Sequence, residues 1–143
     1  MAREPGVRAL PPPVCKAILL CEKVVRDEFT GLYSLINIFD DIHLYSLPCL
    51  IGPYLLFLQV TDGLGRYQIS VEIQDLSTGS VLARADQPEI ELADKNVKWI
   101  GILGVPPFLI NEAGAYDILV LANGQEINRQ KITINQLKEH DDG

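Results

Sequence analysis

The chain has 143 residues, is 48% hydrophobic, and carries 12 basic against 19 acidic side chains, for a formal net charge of −7. That length and apolar content suit one domain around one core. Scattered Lys and Arg under an acidic balance argue against nucleic-acid binding, which needs clustered cations, and no stretch approaches the roughly 20 apolar residues that span a bilayer.

The N-terminal end, residues 1–13, contains Pro5-Gly6 and the run Pro11-Pro12-Pro13. It has too little apolar surface to pack alone and is expected to be a disordered tail. Residues 138–143 form a second polar tail, leaving a single domain over 14–137. The first apolar run, residues 17–21, meets Glu22 and Lys23 at once. That is not a signal-peptide pattern, so a cytoplasmic location is expected. Cys15, Cys21 and Cys49 are an odd, low count, which reads as reduced, packed thiols rather than a disulfide framework.

Extended segments then alternate with turn signals. Residues 14–25 read as a strand, followed by a polar loop ending at Gly31. Residues 32–39 and 42–45 follow, with Asp40-Asp41 between them, and Pro48 and Pro53 bracket a short piece at 49–52. Residues 54–60 are the next strand. Asp62-Gly63 and Gly65 supply the positive-φ positions of a tight hairpin into 67–73. In that strand Tyr67, Ile69, Val71 and Ile73 face one way and Gln68, Ser70, Glu72 and Gln74 the other, the period of a half-buried strand. A turn at 76–79 leads to 81–85, and 88–93 is a weak edge strand. Residues 97–103 form a strand that Pro106-Pro107 ends, and 108–110 is short. Residues 116–122 pass through Asn123-Gly124, a strong two-residue hairpin signal, into 126–134. No window carries a convincing helical period. The expected fold is all-β, an antiparallel two-layer sandwich of immunoglobulin-like or jelly-roll-like type with about seven to nine strands.

Several strands are apolar on both faces. Leu55 and Phe57 oppose Leu56 and Leu58; Ile100 and Ile102 oppose Trp99 and Leu103; Leu119 and Leu121 oppose Ile118 and Val120. Burying one such side chain is worth roughly 1.5–3 kcal/mol. These six second-face residues are therefore either covered by loops or form an interaction surface. The second reading expects a homo-oligomer or a protein partner.

Motifs for chemistry are sparse. Asp40, Asp41 and His43 are weak metal candidates, since clustered carboxylates can hold a hard cation, but turn formation alone accounts for the aspartates. His43 and His140 are the only histidines. No nucleophile elbow, phosphate loop, dinucleotide fingerprint or Cys-x-x-Cys pair is present, so no catalytic residue and no cofactor is assigned. Trp99, Tyr54, Tyr67 and Tyr116 would make a sugar platform only if exposed, and three of them fall on core faces by periodicity.

Two stretches carry a resemblance. One is Cys21-Glu22-Lys23-Val24-Val25-Arg26-Asp27-Glu28 running into Thr30-Gly31-Leu32-Tyr33-Ser34-Leu35-Ile36-Asn37-Ile38-Phe39-Asp40. The other is Leu58-Gln59-Val60-Thr61-Asp62-Gly63-Leu64-Gly65-Arg66-Tyr67. Together they resemble a family of small bacterial proteins known only as a domain of unknown function. The resemblance covers most of residues 14–134. It implies a β-sandwich and a bacterial source, and it brings no activity or site residue. The expected function is a non-enzymatic protein-interaction or structural module. A carbohydrate or small-ligand binding module is the alternative, and a metal-assisted enzyme the third reading.

Overall fold

The computed structural model describes residues 11–138. The alternating stretches become fourteen strands there. They are β1 (Val14–Cys21), β2 (Lys23–Arg26), β3 (Tyr33–Ile36), β4 (Asp41–Leu44), β5 (Cys49–Ile51), β6 (Tyr54–Thr61), β7 (Gly65–Tyr67), β8 (Ile69–Asp75), β9 (Val81–Asp86), β10 (Ile90–Leu92), β11 (Trp99–Val105), β12 (Phe108–Ile110), β13 (Gly114–Ala122) and β14 (Gln125–Gln136). No helix among the described residues is long and apolar enough to cross a membrane. Residues 1–10 and 139–143, with His140, lie outside the described residues. Of the expected N-terminal tail, Pro13 is buried, and the Pro11 carbonyl accepts a 2.7 Å hydrogen bond from the Tyr67 hydroxyl.

Two sheets carry the fold. One has three antiparallel strands in the order β1-β6-β11, the other five in the order β4-β14-β13-β8-β9. All pairs in the larger sheet are antiparallel except β14 with β4, an exception to the expected antiparallel pairing. Three two-stranded pieces, β2-β3, β5-β12 and β7-β10, complete the structure.

Register decides which residues share a face. Across the three-stranded sheet Leu20, Leu56 and Leu103 stand in one row, Ile18, Leu58 and Gly101 in the next, and Cys15, Val60 and Trp99 in a third. These rows face inward. Leu56, Leu58 and Val60 are fully buried, and they share one core with Ile69, Val71, Ile73, Ile118, Val120 and Ile132 of the five-stranded sheet. The alternation expected for Tyr67, Ile69, Val71 and Ile73 is present, and all four are buried. Tyr116 is also buried, and its hydroxyl donates to the Glu112 carbonyl at 2.5 Å.

The strand count exceeds the expected seven to nine chiefly because the short segments β4, β5, β10 and β12 each pair as strands, and also because two apolar stretches are broken where the chain changes sheet. Residues 14–25 divide at Glu22 into β1 and β2, and 67–73 divides at Gln68. The Gln68 N–H there bonds the Asn123 side-chain oxygen at 2.9 Å instead of a ladder partner. The Asp62-Gly63 turn is not the expected hairpin. It carries the chain from β6 in one sheet toward β8 in the other, with β7 pairing to β10 on the way. Gly63 is needed for close approach, since a Cβ there would stand 2.6 Å from Leu92 Cδ1 and 2.9 Å from Tyr67 Cε2. The Asn123-Gly124 hairpin does form. It joins β13 and β14 with φ of 51° and 80° at its two central residues, the positive values a type I′ turn requires.

Gly101 marks a second close approach. It leaves a gap in the row Ile18–Leu58–Gly101, and the Trp99 indole folds into that gap, so a Cβ on residue 101 would stand 2.0 Å from Trp99 Cη2. Gly101→Ala should force Trp99 from its position and cost about 1–3 kcal/mol, the usual penalty for overfilling a packed core. Urea unfolding followed by tryptophan fluorescence measures it. Unchanged stability with an unchanged emission maximum would contradict this packing.

Candidate functional site

The two large sheets treat their outer faces differently. On the five-stranded sheet, register sets Arg84, Glu72, Leu119 and Arg129 in one row across β9, β8, β13 and β14. Arg84 reaches Glu72 at 2.6 Å and Asp86 at 3.1 Å. Arg129 reaches Asp117 at 2.8 Å and Glu126 at 2.5 Å. Hydrogen bonding from Arg129 lowers the Glu126 carboxyl pKa. Asp117, a buried carboxylate, is thus paired, as a buried charge must be. Within this lattice Leu119 is buried and Leu121 half-buried.

The aligned rows on the outer face of the three-stranded sheet carry no charge, and the exposed Lys16 stands at the β1 bulge beside them. The rows are Leu19–Phe57–Ile102, Ala17–Gln59–Ile100 and Cys21–Leu55–Gly104. The β2-β3 hairpin leans over one end, where Tyr33 meets Phe57 edge-on at 6.1 Å between ring centres. Leu55, Phe57 and Ile102 are half-buried, whereas Ile100 remains exposed. The six expected surface residues therefore do not form one patch. Leu55, Phe57, Ile100 and Ile102 share this apolar face, while Leu119 and Leu121 lie on the other sheet beneath ion pairs.

Two depressions flank residues Ile38 and Phe39, which connect β3 to β4. Phe39 bridges back to Leu20 of β1 and packs edge-on to Tyr54 at 4.9 Å. The first depression, about 190 Å³, opens between the sheets where β1 and β14 approach. Its floor is Ile18, Leu20, Ile118 and Ile132, and its mouth carries Ile38, Asp40 and Lys131. The opening exists because Gln130 occupies the inward position beside Ile118, where Ile132 and Ile134 continue the same alternation with apolar groups. Asn128, the next inward position, donates to the Cys15 carbonyl at 2.8 Å and ties β14 to β1. The second depression is wider, about 370 Å³, and is lined by Glu22, Asn37, Asp41, His43 and Tyr54. Burial raises the Tyr54 pKa, and the Glu22 carboxylate and Cys49 add to the effect.

The metal candidates separate across these depressions. Asp41 and His43 point into the second, two residues apart on β4, while Asp40 precedes the strand and lines the first. Among the described residues no group of three or more His, Cys, Asp or Glu side chains is gathered to hold a metal ion. Of the aromatics, Tyr67 and Tyr116 are buried, and Tyr54 and Trp99 pack partly against the core, so they present no shared exposed platform.

A feature absent from the sequence-based expectations is the tip between β2 and β3. Asp27 Oδ1 accepts from the backbone N–H groups of Phe29 at 2.8 Å and Thr30 at 2.9 Å, which lowers the Asp27 pKa. The Gly31 N–H bonds the Asp27 carbonyl at 2.9 Å, with Gly31 at φ 73°. Phe29, at the apex, is 97% exposed. The signal in sequence was an aromatic residue inside an Asp-x-x-Thr-Gly turn.

All three thiols are free. Burial pushes Cys15 up to about 11 and also raises Cys21. An unfolded thiol ionises near pH 9, so the contribution of neutral, buried Cys15 is complete below that pH and is lost as pH rises toward 11. Thermal unfolding between pH 8 and 11 should show a decline that Cys15→Val reduces. At pH 8 a thiol reagent should modify half-exposed Cys49 first, with Cys15 and Cys21 reacting only in denaturant. Rapid modification of all three in the folded protein would contradict the packing.

No curated protein matches the chain. A family model does, over residues 16–135, from the third residue of β1 to the penultimate residue of β14. That span holds both large sheets, both depressions and the Phe29 tip. The chain belongs to DUF6941, a family of unknown function.

Proposed function

We propose that this protein is a non-enzymatic interaction or structural module, a two-layer β-sandwich that meets a second copy through the outer face of its three-stranded sheet. The carrying observation is the contrast between outer faces. The five-stranded sheet covers its outward leucines with ion pairs, whereas Leu19, Phe57, Ile100 and Ile102 stand together without a charged neighbour in their rows. Two copies at −7 each repel at long range. At physiological salt that repulsion is screened beyond about 8 Å, and a contact face whose rows hold no carboxylate keeps the acidic groups of the two copies away from one another.

The sandwich reading draws support from the common core of the two sheets and from Tyr116. Its bond to a carbonyl four residues upstream has the form of the tyrosine corner found in Greek-key sandwiches.

Ile100 is exposed and makes the safest probe. Sedimentation of the full chain should show a species heavier than 15.9 kDa, and Ile100→Glu should weaken it at least tenfold, which corresponds to about 1.4 kcal/mol. A mass unaffected by Ile100→Glu would overturn this face as the contact.

A further inference from the structure

We propose a second, head-to-tail contact between copies of this chain, in which the Phe29 tip of one enters the opening between β1 and β14 of the next. A phenylalanine 97% exposed on a turn whose backbone is already hydrogen-bonded is an apolar anchor on a fixed base. Only its side-chain rotamers remain to be ordered when it docks. Buried aromatic anchors carry a large share of binding energy in protein contacts.

The opening matches that anchor in size and chemistry. At about 190 Å³ it is smaller than the roughly 300–1,000 Å³ of small-molecule pockets, and it suits a single side chain. Its floor is aliphatic, made by Ile18, Leu20, Ile118 and Ile132. The charges correspond as well. Arg26 and Glu28 flank the turn that carries Phe29, and Asp40 and Lys131 flank the opening. Arg26 can face Asp40 and Glu28 can face Lys131, while the third tip charge, the Asp27 carboxylate, is held by the backbone N–H groups of its own turn.

A chain cannot satisfy its own opening this way. The base of the β2-β3 hairpin lies beside the opening, where Phe39 bridges to Leu20. Its tip lies a four-residue strand further on, about 13 Å at 3.3 Å per residue. Tip and opening are different surfaces, so the contact is heterologous and builds rings or open chains rather than a two-fold pair.

The test uses the full chain carrying Ile100→Glu, which removes the sheet-face contact on β11, at the opposite edge of the three-stranded sheet from β1. In that background the average mass by light scattering should rise with concentration. Phe29→Ser, at the tip, and Ile38→Arg, at the exposed mouth, should each weaken assembly at least tenfold. Both positions are exposed, and circular dichroism should confirm that both variants fold. Mixing the two leaves one intact tip and one intact opening, and should yield a species of two chains and no larger. A background variant that stays monomeric at its highest soluble concentration overturns the contact, as does assembly indifferent to Phe29→Ser or a mixture that remains monomeric. The comparison of wild type with Ile100→Glu reports separately on the sheet-face reading.

Discussion

The register of β6 between β1 and β11 constrains everything else. Because side chains alternate, each inward row that β6 aligns fixes an outward row one residue away. Placing Leu56, Leu58 and Val60 inside obliges Leu55, Phe57 and Gln59 to point out. Sliding the strand by one residue would drive Gln59 into the core and leave Leu58 in water. An apolar outer row is thus a direct consequence of how this strand's hydrophobic residues are spaced, and the chain must then cover it, pair it or present it.

The two sheets resolve the same constraint by opposite means. On β13 the outward Leu119 is flanked by Glu72 and Arg129, whose partners Arg84 and Asp117 complete an ionic lattice across four strands. Long Arg side chains can lay apolar stems over a leucine while their charged ends stay wet. On β6 the outward Phe57 receives only Tyr33, because the β2-β3 hairpin is too short to reach across to β11. Covering therefore grades from Cys21, fully buried where the chain folds back, to Ile100, exposed at the far edge. This gradient follows from a hairpin with four-residue strands laid over a three-stranded sheet, and it leaves the edge beyond the hairpin apolar.

Much of the fold was legible in sequence, because the strands that build the core have a clean two-residue period. Tyr67 to Ile73 and the Asn123-Gly124 reversal could be placed without coordinates. The Asp62-Gly63 turn could not. A positive-φ pair permits reversal of the chain but does not say whether the next strand pairs with the last or crosses to the other sheet. That choice goes with Gly63 packing against Tyr67 and against Leu92, a residue far along the chain on β10, and no local pattern encodes it. The outward faces were legible as apolar but not as separate: Leu119 and Phe57 look alike until register reveals that only one has arginine neighbours. The inter-sheet opening was partly written in β14, where Asn128 and Gln130 fall in phase with Ile132 and Ile134. Of these polar residues on an inward period, Asn128 bridges the two sheets at β1 and Gln130 lines the gap beside that bridge.

That last pattern joins fold to function. Asn128 is satisfied by the Cys15 carbonyl, so it costs little and holds the sheets at a set separation. Gln130, one inward position along, lines the gap instead of closing it. An isoleucine there would extend the apolar row and fill the space beside Ile118. The glutamine amide can turn to solvent through the mouth, which keeps the aliphatic floor reachable from outside. Meanwhile the hairpin that begins beside this opening holds Phe29 away from its own domain. A chain that keeps an aliphatic recess open at one end of a hairpin and an aromatic side chain unburied at the other leaves two apolar surfaces. In the head-to-tail contact proposed above, a second copy buries both, because each copy carries one of each.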